Sequence, residues 1–353
     1  MVGAWPLRHG TATVSAATRV AAIDCGTNAL RLLVADVDWA AGRLVDVDRR
    51  MEIVRLGQGV DSTGRLAPEA LNRTLRALQG YARIIADASP VAVRMVATSA
   101  ARDATNAADF VRGVNDVLGL EPEVLTGQQE AYLSFTGATA ELSGQSGSPY
   151  LVVDIGGGST EFVLGSAEPP DGAEITPGAG TLDGVGAPRG AGITAISVDI
   201  GCVRMTERHL RGDPPAAAEI AAAAADIDAA LDVVAAAMPA ADAHTLVGLA
   251  GSVTTVAGLA LGLSHYDSGL IHHSRVRADE VSEQTRRLLR QTRAQRGALG
   301  VMHPGRVDVI AGGAMVLAQV MRRFGFAEVL VSEHDILDGI AWAMARPALA
   351  EPR

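Results

Sequence analysis

The sequence predicts an α/β protein with two similar lobes that face each other across a cleft. A strand, a glycine-containing turn and a second strand occur twice, around Asp24–Asn28 and around Asp154–Ser159. Each copy opens a run of three strands that is followed by helices, which indicates an internal duplication. The length of 353 residues also suits two domains better than one. Because clefts between domains are the usual ligand sites, we expect the two turns to meet there.

The second turn carries the more specific signal. The apolar run Tyr150–Val153 leads to the carboxylate of Asp154, and three glycines and Ser159 then turn the chain into the next strand. Glycines let backbone N–H groups approach a ligand closely, and successive free N–H groups form a concave anion site. The carboxylate would repel a phosphate unless a hard cation such as Mg²⁺ bridges the two. The stretch therefore predicts a phosphate and Mg²⁺ site, and a plain hairpin is the alternative.

The first lobe follows from apolar spacing and turn residues. Strands are predicted at 20–24, 30–37 and 43–56, with Gly42 in the turn before the third. Pro68 suits the first turn of a helix, and the apolar residues from Leu71 to Ile85 keep a helical spacing. Further strands are predicted at 91–97 and 124–125, and further helices at 106–118 and 128–140. Residues 143–149, rich in Ser and Gly, predict the joint between the lobes.

The second lobe repeats this opening, with strands at 151–155, 160–165 and 193–198. Later strands are predicted at 245–249 and 328–331, and helices at 201–210, 216–237, 253–261, 279–290, 307–324 and 335–345. Since the last helix is expected to return to the first lobe, residues 19–142 plus 334–353 form that lobe and 143–333 the second. We expect residues 1–18 to be disordered and residues 166–192, rich in Gly, Pro and Ala, to be a long mobile loop.

The charged residues narrow the class of protein. No residue is lysine, so all 30 basic side chains are arginines. This excludes a phosphate loop of the Walker type and a Schiff-base lysine. Arginine forks remain as the cationic phosphate ligands. The net charge of −10 argues against nucleic acid as a partner.

Cysteine usage and hydropathy indicate the compartment. Cys25 and Cys202 offer no disulfide framework and suit a reducing compartment. No stretch is long and charge-free enough to span a bilayer, and the first 18 residues lack the pattern of a signal peptide. We therefore expect a cytoplasmic protein with no membrane partner.

Six motifs in sequence order resemble the exopolyphosphatase / guanosine pentaphosphate phosphohydrolase (Ppx/GppA) family, in its short form without a C-terminal HD-type domain. They are Ala22–Asn28, Ala97–Asn106, Thr126–Ala131, Val153–Glu161, Gly201–Glu207 and Ala250–Thr255. The resemblance spans residues 20–345. It implies that each lobe is RNase H-like and that the whole belongs to the actin/sugar-kinase/chaperone ATPase superfold. It also implies a homodimer.

The resemblance implies a role for each motif residue. Glu130 would be the general base, because Gln129 replaces the first glutamate of the family's usual pair, and Arg102 would be the transition-state cation. Alternatives are a solvated first-turn glutamate at 130 and a structural ion pair of Arg102 with Asp103 or Asp109. The metal, Mg²⁺ or Mn²⁺, is expected on Asp154, Glu161 and Asp24, although Glu161 is also compatible with a surface position. The phosphate ligands are expected to be Thr27, Asn28, Gly156, Gly157, Gly158, Ser159, Gly251 and Ser252. Candidates to extend an arginine groove are Arg31, Arg94, Arg204 and Arg275.

The function expected from the resemblance is hydrolysis of a terminal phosphoanhydride. The first candidate is an exopolyphosphatase that releases orthophosphate from polyphosphate, with shorter chains favoured because the extra domain is absent. The second is a pppGpp 5′-phosphohydrolase of the stringent response, which would use the same site. A catalytically weak regulator that binds polyphosphate or a nucleotide is the third, and Glu130 argues against it.

Overall fold

The computed structural model describes residues 17–142, 147–166 and 193–346. The expectations for the N-terminal stretch, for most of the joint at 143–149 and for the loop at 166–192 fall outside these residues. Two β-sheets of five and six strands dominate the fold. None of the described helices is both long and apolar enough to cross a membrane.

Eleven strands occur in the described ranges. They are β1 (Thr18–Cys25), β2 (Ala29–Asp38), β3 (Arg43–Ile53), β4 (Ala92–Ala97), β5 (Glu123–Val124), β6 (Tyr150–Ile155), β7 (Thr160–Gly165), β8 (Thr194–Val198), β9 (Thr245–Leu249), β10 (Arg275–Arg277) and β11 (Glu328–Val331).

The described α-helices surround these strands. They are α1 (Val60–Thr63), α2 (Pro68–Ala88), α3 (Ser99–Asp103), α4 (Ala107–Leu118), α5 (Gly127–Thr139), α6 (Cys202–Arg208), α7 (Ala217–Ala237), α8 (Ala250–Ala260), α9 (Ser268–Ile271), α10 (Ala278–Arg290), α11 (Arg293–Gly297), α12 (Ile310–Phe324) and α13 (Ile336–Ala345).

The two sheets have the same strand order. The first runs β3-β2-β1-β4-β5, with β1, β2 and β3 antiparallel and β4 and β5 parallel to β1. The second runs β8-β7-β6-β9-β11, with β10 added antiparallel at the edge. Three antiparallel strands followed by two parallel ones form an RNase H-like sheet in each lobe. The predicted two-lobed α/β fold is confirmed.

Helices α5 and α13 form a layer between the sheets. On α5, Leu133 packs with Ile336 and Ile340 of α13 in a core that includes residues of β1 and β2. Phe135, two residues along α5, packs instead with Tyr150 and other residues of the second sheet. Because α5 contacts both sheets, its N-terminus lies where the lobes face each other.

Gly137 in α5 is required for this contact. A Cβ atom at Gly137 would overlap the backbone carbonyl oxygen of Asp335, which cannot retreat as a flexible side chain could. We expect Gly137→Ala to lower the free energy of unfolding by about 3 kcal/mol, the upper range for overpacking. Gly80→Ala is the matched control, since Gly80 lies in helix α2 with no atom within 4 Å of its virtual Cβ. That change should stabilise the protein by about 0.5–1 kcal/mol in the same urea titration. Equal effects of the two changes would contradict the close contact.

Candidate active site

A cleft of about 100 Å³ lies between the lobes. The two glycine turns line it, together with the first turns of α5 and α8 and the loop before α12. The polar side chains among its lining residues are Asp24, Thr27, Asn28, Arg31, Thr98, Ser99, Glu130, Asp154, Ser159, Ser252 and Arg306. Most residues predicted for the site therefore come together here, whereas Gly158, Glu161 and Arg102 are not among the lining residues.

The two glycine turns touch each other. A Cβ at Gly157 would lie 2.8 Å from Cβ of Thr27 and 3.2 Å from the backbone nitrogen of Asn28. At Gly158 it would lie 2.6 Å from Oγ of Ser99. Ser99 and Thr27 in turn share a hydrogen bond of 2.7 Å between their hydroxyls. The glycines are therefore needed because only a chain without Cβ can come this close.

The backbone carbonyls of the first turn accept hydrogen bonds from the segment that follows β3. The carbonyl of Thr27 accepts the N–H of Gly57 at 2.9 Å, and that of Asn28 accepts the N–H groups of Val54 and Arg55 at 3.0 and 2.9 Å. In the part of the chain that the structure describes, the N–H groups of Thr27 and Asn28 donate to no backbone carbonyl. These two donors are free for a ligand.

The second turn repeats the arrangement. The carbonyls of its three glycines accept N–H groups from the start of α6, at distances between 2.9 and 3.2 Å. Over the described residues, the N–H groups of Gly156, Gly157, Gly158 and Ser159 have no backbone acceptor. Successive free N–H groups can form an anion site. The phosphate-binding role of these residues stays a prediction.

Helix α8 adds a third set of donors. Its first residue, Ala250, has a left-handed φ of 66°, which turns the chain sharply out of β9. Ala250, Gly251 and Ser252 all line the cleft. The first N–H groups of a helix have no acceptor within it and favour an anion. A Cβ at Gly251 would overlap the guanidinium of Arg306, so the glycine lets that arginine cross the helix end.

Glu130 is held by the start of α5. Thr126 caps the helix and forms a capping box with Gln129, whose N–H donates to the Thr126 hydroxyl at 3.3 Å. The Gln129 side chain accepts the Thr126 N–H at 2.9 Å. The glutamine in place of the family's first glutamate therefore holds the helix end, and the buried Glu130 that follows lines the cleft.

The electrostatics around Glu130 suit a proton acceptor. Burial, followed by the nearby charges of Glu161 and Asp154, raises the pKa of Glu130 well above its usual range, and the Arg102 guanidinium opposes this rise. Nη1 of Arg102 lies 3.2 Å from Oε2 of Glu130 and donates to the carbonyl of Leu125 at 2.9 Å. Because basicity rises with pKa, the ionised form of Glu130 is a stronger base than an ordinary glutamate carboxylate.

Arg102 contacts Glu130 and does not line the cleft. Of its two predicted carboxylate partners, Asp103 is 4.0 Å away, while the closer contact is Glu130. The groove candidates Arg94, Arg204 and Arg275 pair with Glu123, Asp103 and Glu328 and do not line the cleft. A direct contact of Arg102 with the transition state stays a prediction.

The three predicted metal ligands are buried carboxylates with different partners. Oδ2 of Asp24 accepts from Arg31 at 2.6 and 2.9 Å, and Arg31 also bonds to Asp335. Asp154 accepts from the hydroxyl of Ser134 at 2.7 Å. Glu161 accepts from the hydroxyl of Ser197, also at 2.7 Å, so it is not a surface residue.

Two carboxylate oxygens remain without a partner. Oδ1 of Asp24 and Oε2 of Glu161 are buried and accept no hydrogen bond from any described residue. Burying a carboxylate oxygen without a hydrogen-bond partner costs free energy, and a hard cation bound to the oxygen would offset this cost. Over the described ranges, however, Asp24, Asp154 and Glu161 do not bring an oxygen each within 4.8 Å of one another. The donor set thus fits a Mg²⁺ ion held by one or two carboxylates, water and phosphate.

Burial shifts the titration of these carboxylates. Burial, aided by the charge of Asp335, raises the pKa of Asp154 to about 6. Burial, aided by the charge of Asp154, raises the pKa of Glu161 to about 7. Ionisation of these two buried carboxylates therefore costs free energy, and a bound cation would reduce that cost.

The shift at Glu161 predicts a pH-dependent stability. Since its pKa is about 7 in the folded chain and about 4.5 without burial, the folded state binds the proton more tightly, and stability falls as pH rises through this interval. Glu161→Gln removes this loss and should stabilise the metal-free protein at pH 8 by up to ~3 kcal/mol. At pH 4.5 the effect should be small. Thermal unfolding at both pH values checks this, with the exposed Glu121→Gln as control. A gain at pH 4.5 as large as that at pH 8 would contradict the assignment.

Arg306 is a cleft residue that the sequence reasoning missed. It lines the cleft and donates from Nη1 to the hydroxyl of Thr255 at 3.3 Å. Among the described carboxylates, none lies within 4.0 Å of its guanidinium, whereas Arg31, the other arginine in the cleft, is paired twice. The surplus positive charge of Arg306 is therefore available to a phosphate. Its short Pro304–Arg306 helical turn belongs to none of the recognised motifs.

The fold and the site define a two-lobed enzyme that handles phosphate groups. The profile of the Ppx/GppA phosphatase family matches residues 33–346. Exopolyphosphatase 2 of Mycobacterium tuberculosis is 48% identical over 341 residues, which cover 94% of this chain and 99% of that protein. The chain therefore belongs to the Ppx/GppA phosphatase family.

Solved structures agree with this assignment. The crystal structure of an exopolyphosphatase-like protein has a TM-score of 0.85 and 41% identity, and the match covers 95% of this chain and 99% of that one. A PPX-GPPA enzyme of Aquifex aeolicus has a TM-score of 0.72 and 28% identity, with 92% and 99% covered. The sequence resemblance to the family is confirmed.

Proposed function

We propose that the protein is an exopolyphosphatase, which hydrolyses the terminal phosphoanhydride of inorganic polyphosphate and releases orthophosphate. The observation that carries the proposal is the position of Glu130. Its buried carboxylate lines the same cleft as the two anion-binding turns and Arg306. The relative named Exopolyphosphatase 2 supports the same substrate class.

The residues of the cleft suggest how the reaction proceeds. Phosphoryl transfer needs a positioned nucleophile and neutralisation of charge, with little covalent chemistry by the protein. The free N–H groups of the two turns bind the terminal phosphate, and Arg306 neutralises charge on its oxygens. Glu130 accepts a proton from the water that attacks phosphorus, and the bond to the bridging oxygen breaks. Arg102 holds the Glu130 carboxylate in place.

The orphaned oxygen of Asp24, in a cleft that Asp154 also lines, favours a divalent cation there. When bound, Mg²⁺ (or Mn²⁺) would neutralise phosphate charge and so stabilise the leaving group. Asp24 and Asp154 would hold it, because both line the cleft. Ser134 fixes Asp154, and Arg31 fixes Asp24 through one oxygen and leaves the other free.

A second substrate, pppGpp, has the same terminal group. The N–H groups and the arginine described above would bind the terminal phosphate groups and would not contact the rest of the substrate. The relative named Exopolyphosphatase 2 favours polyphosphate, so short polyphosphate is the proposed substrate and pppGpp 5′-phosphohydrolase activity is the alternative.

One assay tests the proposal. Phosphate release is measured side by side from tripolyphosphate, long-chain polyphosphate and pppGpp, with Mg²⁺ and with a chelator. We expect turnover of the short chain to be fastest and to require the cation. Faster turnover of pppGpp would favour the alternative. Binding of all three without hydrolysis would show a regulator instead of an enzyme.

A further inference from the structure

Three side chains from separate segments meet one another, and none of them lines the cleft. Glu141 follows α5, His272 follows α9 and His334 precedes α13. Each offers one ligand atom, and these atoms all lie within 4.8 Å of one another. Within the described ranges, no other group of three His, Cys, Asp or Glu side chains does so.

The distances are close to those of a metal centre. Nε2 of His272 lies 3.2 Å from Oε2 of Glu141, and Nδ1 of His334 lies 3.6 Å from the same oxygen. In a tetrahedral zinc site with bonds of about 2.0–2.1 Å, two ligand atoms are about 3.4 Å apart. Two of the three separations are therefore close to this value, and the third, between the two imidazole nitrogens, is at most 4.8 Å.

We propose that Glu141, His272 and His334 bind a divalent transition metal such as Zn²⁺, at a site distinct from the cleft. Two imidazoles and one carboxylate suit Zn²⁺, Co²⁺ or Ni²⁺, whereas Mg²⁺ prefers oxygen ligands. A water would complete the coordination on the exposed side of Glu141.

The position of the site gives it a structural consequence. Glu141 lies where the chain passes from α5 to β6, and His334 where it passes from β11 to α13. These are the two places where the chain crosses between the layer of α5 and α13 and the second sheet. His272 belongs to the second lobe. A metal at this point would therefore tie both crossings to the second lobe and stabilise their arrangement.

Metal binding must rearrange one hydrogen bond. Nδ1 of His272 accepts the N–H of Glu333 at 3.1 Å, so Nε2 carries the ring proton and donates to Glu141. When Nε2 binds the metal, its proton must reside on Nδ1, and the N–H of Glu333 loses its acceptor. No proton is released in this exchange of tautomers. The amide of Glu333 should consequently exchange its hydrogen faster when metal is bound.

A Co²⁺ titration tests the site. Tag-free protein is titrated in a large excess of Mg²⁺, which occupies the oxygen ligands of the cleft and leaves the histidine site for Co²⁺. We expect visible absorption bands of tetrahedral intensity at one Co²⁺ per chain, and their loss when Zn²⁺ is added. His334→Ala and Glu141→Gln should each weaken Co²⁺ binding at least tenfold. His265→Ala, which changes a histidine outside the cluster, should leave it unchanged.

Several results would overturn the proposal. One is the absence of tetrahedral bands, and another is unchanged Co²⁺ affinity in His334→Ala. Loss of the bands in Asp154→Asn, a change to a carboxylate that lines the cleft, would assign the ion to the cleft instead. His334→Gln, which keeps the side-chain size, serves if His334→Ala fails to fold, and circular dichroism identifies that case. Because the titration needs no turnover, it is decided independently of the proposed exopolyphosphatase activity.

Discussion

Replacement of Glu130 by glutamine should lower kcat by roughly 10²–10⁴, the range for loss of a general base. Gln keeps the size of the side chain and its contact with Arg102, but it cannot accept the proton of the attacking water. Because the phosphate donors belong to other residues, the dissociation constant of tripolyphosphate should change little. Steady-state kinetics and isothermal titration calorimetry measure the two quantities.

The control for this change is Glu121→Gln, which alters an exposed glutamate close by in sequence. It should keep wild-type turnover. If Glu130→Gln also keeps wild-type turnover with unchanged binding, Glu130 is not the base. If it loses turnover only because binding is lost, the residue belongs to the phosphate site instead.

Replacement of Arg306 by alanine should have the second largest effect. Its guanidinium lies in the cleft without a described carboxylate partner, so its charge is available to the substrate. Loss of one such donor to a developing charge costs roughly 10²–10³ in kcat/KM. Arg306→Lys should recover only part of this, because an ammonium cannot form two parallel hydrogen bonds with a phosphate.

Arg83→Ala is the matched control for Arg306, because Arg83 is an exposed arginine on α2. We expect it to retain wild-type kcat/KM for tripolyphosphate. Equal effects of the two changes would mean that only the overall charge matters. If Arg306→Lys restored kcat/KM completely, the planar guanidinium group would have no specific role.

The fold was predictable because its elements carry local signals. Strand β9 begins and ends where its apolar run does, and Pro68 begins α2 as expected. The sequence did not predict elements that form only through tertiary contacts. Strand β10 has only three residues, with exposed arginines at both ends, and forms because it pairs with β11. No apolar pattern marks such a strand.

The predicted first residues of two helices were also wrong. Helix α8 was expected from Val253 but begins at Ala250. The left-handed conformation of Ala250, which a residue other than glycine rarely adopts, turns the chain directly from β9 into the helix. Helix α12 was expected from Val307 but begins at Ile310, because a short turn of a different helical type precedes it.

The residues of the site also fall into two groups, those that the sequence indicated and those that depend on tertiary contacts. Asp154 was singled out because its glycine turn is a local motif, and Glu130 through the resemblance to the family; both line the cleft. Arg31 was one of four arginines that the sequence could not separate, and its position between Asp24 and Asp335 depends on α13, some 300 residues away in the chain. Arg306 likewise reaches the cleft only because Gly251 leaves room for its guanidinium.

The central claim is that water, positioned by Glu130, attacks the terminal phosphorus in the cleft. Hydrolysis of tripolyphosphate in ¹⁸O-labelled water, followed by mass spectrometry of the products, tests it most directly. The account predicts one ¹⁸O atom in each orthophosphate released by the wild type, and release slowed by roughly 10²–10⁴ with Glu130→Gln. Orthophosphate without ¹⁸O, or labelled orthophosphate at the wild-type rate from Glu130→Gln, would contradict it.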